Sequence, residues 1–191
     1  MYTQTANRQL AEGGKSVVLI PLIRAAATIG FAIAPCSLGF VIIAVSEHLI
    51  RSIMVGDDPE MLMSDLQNQF PNDAFEIIEN DDAELVAKVV DLIERPDKAL
   101  ELPLDIRGTD FQMRVWDALQ EVPAGTTVSY TFLAEQIGAP NAVRAVAQAC
   151  AANPLAVAIP CHRAVSANGD LAGYRWGIER KRALLEREAK Q

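Results

Sequence analysis

Cys161, His162 and Arg163 stand together in the segment Ile159-Pro160-Cys161-His162-Arg163, directly after the apolar run Leu155 to Ile159. A thiol attacks only as its thiolate, and near neutral pH a free thiol is mostly protonated. It becomes a nucleophile when a base takes its proton or a nearby cation lowers its pKa. The three residues supply nucleophile, base and cation in one short run. The same run also reads as a structural cysteine beside a surface histidine, because buried cysteine is common and usually inert. The Pro-Cys-His-Arg core alone does not separate the two readings.

Glu188 lies in Arg180-Lys181-Arg182-Ala183-Leu184-Leu185-Glu186-Arg187-Glu188. It follows Leu184 by four positions and Leu185 by three, so it shares their inward stripe, and Glu186 does not. A carboxylate on a buried stripe needs a partner, and a histidine is a suitable one. A second candidate element is the helix expected over 141–152. Val143, Val146, Ala147 and Cys150 fall on one stripe there, while Arg144, Gln148 and Ala151 fall on another and should face outward. Arg144 is the only cation on this helix. Alanines at 142, 145, 147, 149, 151 and 152 keep its side chains short enough for the backbone to approach a nucleic-acid groove, although alanine is also simply a good helix former.

The elements that must position these residues are well punctuated. Thr109 and Gln112 form a capping box that opens a helix carrying Phe111, Val115, Leu119 and Val122 on one stripe, and Pro123-Ala124-Gly125 stops it. Val128-Ser129-Tyr130 leads into a short helix through Leu133 and Ile137. Gly138-Ala139-Pro140-Asn141 turns the chain into the 141–152 helix, which stops before Asn153-Pro154. Two short helices around a glycine turn read as a helix-turn-helix, which by itself does not establish DNA binding. In the first half, strand-like runs fall at about 17–23, 29–34, 40–45 and 49–55. Pro59 opens a helix to Phe70, and a further helix spans roughly 81–94. Residues 1–14 read as a flexible tail, and the polar stretch 94–101 with Pro96 reads as a connection between domains.

A chain of 191 residues, half of them hydrophobic, can bury a real core as one domain or two small ones. The three cysteines form no Cys-x-x-Cys, and with His48 and His162 they show no zinc spacing, so a reducing cytosol is the expected compartment and no metal is expected. The net charge of −8 is unevenly spread: residues 1–102 carry 7 Lys/Arg against 16 Asp/Glu, residues 103–191 carry 10 against 9, and residues 139–190 carry 8 against 4. The basic charge gathers where the motifs are, which fits a locally basic contact surface beside an acidic domain. Ala25 to Val45 is 21 residues without a charge, long enough to span a bilayer. Its interruption by Gly30 and by Pro35-Cys36-Ser37-Leu38-Gly39 favours a buried hairpin over a membrane span.

The segment Asn153 to Arg163 resembles the active-site segment of the O6-alkylguanine-DNA alkyltransferases, in particular the bacterial Ada-type members. The likeness runs from Leu102-Pro103-Leu104-Asp105-Ile106-Arg107-Gly108-Thr109 through Gly173-Tyr174-Arg175-Trp176-Gly177 to Glu188. It implies an α+β protein, with a ribonuclease-H-like α/β domain containing a small antiparallel sheet over 15–100 and a winged-helix-like helix-turn-helix domain over 101–191. It implies irreversible transfer of an alkyl group from O6 of guanine, and from O4 of alkylthymine, to Cys161, once per molecule and without a cofactor. The expected partner is double-stranded DNA, bound through its minor groove by a cytoplasmic monomer.

The resemblance also assigns roles. Glu188 orients His162, which activates Cys161 through a water. Asn153 locks the helix end to the active-site turn. Arg144 enters the base stack where the damaged nucleotide leaves, and Tyr130 displaces that nucleotide and donates a hydrogen bond to the departing guanine. Ser129, Ala145 and Gln148 accompany them on the DNA face. Main-chain groups of Cys161, Ala164 and Arg175 bind the guanine, with Tyr174 in the same loop. Ala164 departs from the valine of many members, and Trp176 beside Arg175 should narrow the pocket. The larger Ada proteins carry a metal-bound cysteine cluster that is not seen in this sequence, so a methyl-sensing role is not expected. Two other classes use parts of the pattern: a module that recognises alkylguanine without repairing it, which lacks the cysteine, and a cysteine hydrolase built on Cys161, His162 and Glu188, which gives Arg144 no purpose.

Overall fold

The computed structural model describes residues 28–78, 83–97 and 101–190. The strand expected over 17–23, the tail 1–14 and the first two residues of the helix expected over 81–94 lie outside them. The described chain is a mixed α+β fold with a small, mostly antiparallel sheet and six helices.

The uncharged stretch folds as the expected hairpin. Strands β1 (Thr28–Cys36) and β2 (Gly39–Ser46) pair antiparallel around Ser37-Leu38, with Cys36 opposite Gly39. Strand β3 (Leu49–Gly56) returns through Glu47-His48, both at positive φ, which is the two-residue turn whose twist matches paired strands. β2 is central, and its five residues Val41 to Val45 are all buried, so apolar side chains cover both of its faces. Among the described residues no helix is long and apolar enough to cross a membrane.

Helix α1 (Pro59–Gln69) starts where Asp58 accepts from the Glu60 N–H, with Pro59 in the first turn, and it packs on β2 and β3. Helix α2 (Ala83–Glu94) packs on β1 and β2. Strand β4 (Ala74–Ile77), which pairs parallel with β1 at the sheet edge, was not expected. It is four residues long and largely exposed, so it carries no burial periodicity to read.

The second half is helical. Helix α3 (Asp110–Gln120) carries the capping box, with Gln112 N–H donating to the Thr109 hydroxyl and the Thr109 N–H donating to the Gln112 side chain. Helices α4 (Tyr130–Gln136) and α5 (Val143–Ala151) pack on each other and on α3. The Trp116 indole N–H on α3 donates at 2.9 Å to the carbonyl of Ala149, one of the α5 carbonyls left without an intrahelical partner. Helix α6 (Ile178–Glu188) closes the fold.

Two pairings place the site. Strand β5 (Val128–Ser129) runs parallel to β6 (Ala164–Val165), so the residue just before Tyr130 lies beside the residues just after Arg163. The free edge of β3 is covered by the second half. Ile50 N–H donates to Pro103 O (2.7 Å) and Asp105 N–H to Ile50 O (2.9 Å); Ile53 N–H donates to Pro154 O (2.9 Å) and Ala156 N–H to Ile53 O (2.9 Å). The Asn153 loop is thereby continued from the sheet.

Trp116→Phe should lower stability by about 1–3 kcal/mol, since it leaves the buried Ala149 carbonyl unpaired. Urea unfolding measures this, and an unchanged midpoint would mean that the bond adds nothing to the α3–α5 contact.

Candidate active site

Cys161 opens a 3-10 turn, Cys161–Arg163, which packs against α3 and α6. The loop before it is tightly wound. Val157 has φ +65°, a conformation that costs a β-branched residue on the order of 1–3 kcal/mol. Asn153, fully buried, offsets that strain. Its amide donates to Leu155 O (3.3 Å), Ile159 O (2.9 Å) and the Cys161 sulfur (3.1 Å), and its carbonyl oxygen accepts from the Leu155 N–H (2.8 Å). Asn153 therefore bridges the end of α5 to the thiol.

Behind the thiol, Nε2 of His162 lies 2.9 Å from Oε1 of Glu188, with both side chains out of solvent. Glu188 also accepts from Arg163 and, through Oε2, from the Gly125 N–H (3.1 Å). Gly125 has φ +75°, and a Cβ there would lie 3.2 Å from the Glu188 carbonyl oxygen, so both conformation and space call for glycine. With Nε2 facing the carboxylate, Nδ1 of His162 is buried and has no protein partner among the described residues. It is the ring nitrogen left to take a proton.

Electrostatics differ from the sequence expectation. Arg163 does not serve the thiol. Its guanidinium points to Glu188, and the cations that act on Cys161 are Lys181 and Arg175. Lys181 is fully buried on α6, and its ammonium donates to the carbonyls of Ala164 (2.5 Å) and Ala172 (3.2 Å). Burial pushes the Cys161 thiol up to about 11, and the Asn153 hydrogen bond and the Lys181 and Arg175 charges only partly offset it. Burial also lowers the pKa of His162; Glu188 opposes that shift, and Arg163 and Lys181 add to it. For Glu188, burial acts upward, but the hydrogen bonds from His162 and Arg163 together outweigh it and hold the carboxyl down to about 2. The resting site is a neutral thiol beside a neutral imidazole and an ionised carboxylate.

In front of the thiol is a cavity of about 370 Å³ lined by Cys161, Cys150, Tyr130, Ala147, Ala151, Tyr174 and Arg175, with Ala172 and Gly173. Burial and the neighbouring thiols push the Tyr130 phenol up to about 12, so it keeps its proton. The Tyr174 hydroxyl is enclosed without a partner among the described residues. Two residues expected in the pocket are not in its wall. Ala164 is wholly buried, with its carbonyl engaged by Lys181. Trp176 does not narrow the cavity: it packs edge-on against Tyr174, with ring centres 5.1 Å apart, on the side of Gly56 and Asp57.

Arg144 and Gln148 are exposed on α5, as their stripe requires, and Ala145 is half-buried. The Ser129 hydroxyl caps α4 by accepting from the Phe132 N–H at 3.0 Å. Lys181, between Arg180 and Arg182, is not among the residues that the sequence singles out. A signal was there, since Lys181 precedes Leu184 by three and Glu188 by seven and shares their stripe.

The family model for the DNA-binding domain of 6-O-methylguanine DNA methyltransferase matches residues 110–190. The bifunctional transcriptional activator/DNA repair enzyme Ada of Escherichia coli (strain K12) is 51% identical over 164 residues, covering 83% of this chain and 45% of that protein. The inducible methylated-DNA–protein-cysteine methyltransferase of Bacillus subtilis (strain 168) is 40% identical over 131 residues, 68% of this chain and 72% of that protein. The crystal structure of Mycobacterium tuberculosis OGT in complex with DNA superposes with a TM-score of 0.67 at 33% identity, covering 85% of this chain and 92% of that one. The chain spans about half the length of the enteric and mycobacterial relatives it matches.

A carboxyl depressed to about 2 from an ordinary 4.5 favours the folded state above the ordinary value and loses that contribution as pH falls towards 2. Wild type should therefore lose stability steeply between about pH 4.5 and pH 2, and Glu188→Gln should show a flatter profile there. Unfolding midpoints measured across that range check this; parallel profiles would mean that the carboxylate is not held ionised.

Proposed function

The chain belongs to the 6-O-methylguanine DNA methyltransferase family, and on that premise we propose that it repairs DNA by moving an alkyl group from O6 of guanine to Cys161. The observation that carries this reading is the cavity itself. A thiol forms part of its wall, an imidazole-carboxylate pair stands behind that thiol, and a tyrosine and the alanines of α5 line the rest. The Cys161 sulfur attacks the alkyl carbon as the carbon–O6 bond breaks. The thiol proton passes by way of water to Nδ1 of His162, and Glu188 stabilises the imidazolium that forms. Guanine leaves with the bonding electrons, and the protonated phenol of Tyr130 donates a hydrogen bond where that charge develops. The product is a thioether that no group in the cavity can reverse, so each molecule acts once, on O4-alkylthymine as on O6-alkylguanine, and needs no cofactor.

The alkylated oxygen lies inside the duplex, and a thiol at the end of a cavity reaches it only if the nucleotide is turned out of the stack. Helix α5 enters the minor groove with Arg144, Ala145 and Gln148 on its exposed side. Arg144 fills the gap in the stack, a device common among minor-groove proteins. Ser129 steadies Tyr130 through the α4 cap. The backbone of Cys161 and Arg175 and the hydroxyl of Tyr174 hold the guanine, while the Ala164 carbonyl is taken by Lys181. The fold divides into a ribonuclease-H-like part over 15–100 and a winged-helix-like part over 101–191, and the protein works as a cytoplasmic monomer.

Mixing the protein with an oligonucleotide containing O6-methylguanine should add one methyl group per molecule, which peptide mass spectrometry should locate on Cys161. Cys161→Ala should bind the same DNA and gain nothing. Repeated turnover by one molecule would sink the single-use mechanism, and binding by the wild type without any mass gain would make it a recognition module.

Arg144→Ala should slow transfer on a matched duplex by about tenfold or more, equivalent to about 1.4 kcal/mol of barrier. It should slow transfer less on a mismatched duplex, where extrusion costs less, and least from the free base. Single-turnover rates on the three substrates decide it. An equal loss on all three would place Arg144 in support of the fold rather than of the extruded base.

A further inference from the structure

The Arg163 side chain is nine-tenths buried, and every nitrogen of its guanidinium is used. Nε lies 3.1 and 3.2 Å from the two oxygens of Glu188, and Nη2 lies 2.8 Å from Oε1. Nη1 donates to the carbonyl of Val122, at the end of α3, at 2.5 Å. Nη2 also donates to the carbonyl of Pro96, in the connection after α2, at 3.3 Å. Oε1 therefore accepts from His162 and from Arg163 together, and the guanidinium fork, with the Gly125 N–H on Oε2, sets the direction of the carboxylate.

We infer that Arg163 is a positioning residue for the alkyl transfer: it holds Glu188 in the one orientation that directs the His162 ring, and it ties that orientation to the connection at Pro96. The inference rests on the proposed repair reaction and extends it to a residue that touches neither thiol nor DNA base. Without the fork, only the Gly125 N–H and the imidazole itself would hold Glu188, which could then turn about Oε2, and the imidazole would follow. A lysine would keep the charge but give up the planar fork, so charge and geometry can be separated. The charge has its own consequence. The groups that face His162 or Glu188 are Lys181 of α6, which acts on His162, Tyr174 of the loop before α6, which acts on Glu188, and the Gly125 N–H on Oε2. Of these and Arg163, only Arg163 and Lys181 are cations, and both disfavour a charged imidazole.

The experiment is single-turnover methyl transfer from an O6-methylguanine oligonucleotide to the full chain, followed by mass across pH for wild type, Arg163→Lys and Arg163→Met. Arg163→Lys should be about 10- to 100-fold slower at neutral pH, the scale of loss when a reacting group is misaimed, with unchanged affinity for the oligonucleotide. Its acid limb should stay near that of wild type. In Arg163→Met the acid limb should move to higher pH, because removing a cation beside His162 raises the pH at which the imidazole takes up a proton. Wild-type rate and acid limb in a folded Arg163→Met protein would overturn the inference. Should that variant not fold, the Arg163→Lys rate still decides, together with the Nε–H resonance of Arg163 in wild type, which must shift on Glu188→Gln; no shift would overturn it. A wild type that never methylates Cys161 would sink the repair reading itself, whereas a methylating wild type with indifferent Arg163 variants would sink only the role of Arg163.

Discussion

Glu188 is a carboxylate taken almost wholly out of water at the C-terminal end of a helix, where the helix dipole also disfavours negative charge. It stays ionised because the His162 ring, the Arg163 guanidinium and the Gly125 N–H converge on it. These partners come from separate pieces of chain: the turn that carries the thiol and the loop that ends α3. The last turn of α6, the left-handed Gly125 and the course of residues 161–163 are therefore mutually dependent. A shift in any one would leave a buried charge short of a partner, which typically costs 3–5 kcal/mol. The demand for charge satisfaction fixes the geometry that the chemistry uses.

The second support is the edge of β3. An exposed edge offers unpaired N–H and C=O groups and invites pairing with another chain. Here Ile50 and Ile53 spend those groups on Pro103, Asp105, Pro154 and Ala156. The same bonds fix the start of the 153–161 loop, whose far end is fixed by Asn153 and whose middle contains the strained Val157. No residue of the four-stranded sheet lines the cavity, yet the sheet sets where the loop begins. Arg180, bonded to the Leu38 carbonyl, and Arg187, bonded to the Ile93 carbonyl, tie α6 back to the first half as well.

What could be read from the sequence was local. The Thr109/Gln112 capping box, the hairpin at Cys36–Gly39, the two faces of α5 and the inward stripe of Glu188 follow from spacings of two, three or four residues. The folded chain obeys them because neighbouring preferences and tertiary packing agree there. What could not be read was directional and long-range. The tetrapeptide at 160–163 suggests that Arg163 serves the adjacent thiol, but consecutive residues in a tight turn point different ways, and its guanidinium meets a carboxylate 25 positions later. Lys181 looks solvated until the carbonyls of Ala164 and Ala172 are seen around it. Strand β4 is defined only by β1 beside it. The bulk of Trp176 was expected in the cavity because its neighbours Tyr174 and Arg175 line it, yet its ring turns to the opposite side of the loop.

The cavity holds two thiols, and the fold gives them different partners. Access does not distinguish them, since Cys150 is 5% exposed and Cys161 is 3% exposed. Burial raises both, Cys150 to about 12 and Cys161 to about 11, and each has the Lys181 charge acting against that rise. The difference lies in hydrogen bonding and in the Arg175 charge, which acts on Cys161 and not on Cys150. The Asn153 amide donates to the Cys161 sulfur, whereas Cys150 receives no side-chain donor. Cys150 is held by the regular backbone of α5, while Cys161 sits in the same turn as the imidazole whose Nδ1 has no protein partner among the described residues. A proton lost from Cys161 has an acceptor within its own turn, and the sulfur left behind has a donor ready to stabilise its charge. On the proposed reaction, selectivity between the two sulfurs comes from the partners that the 153–163 loop assembles, and the strain at Val157 is part of what that assembly costs.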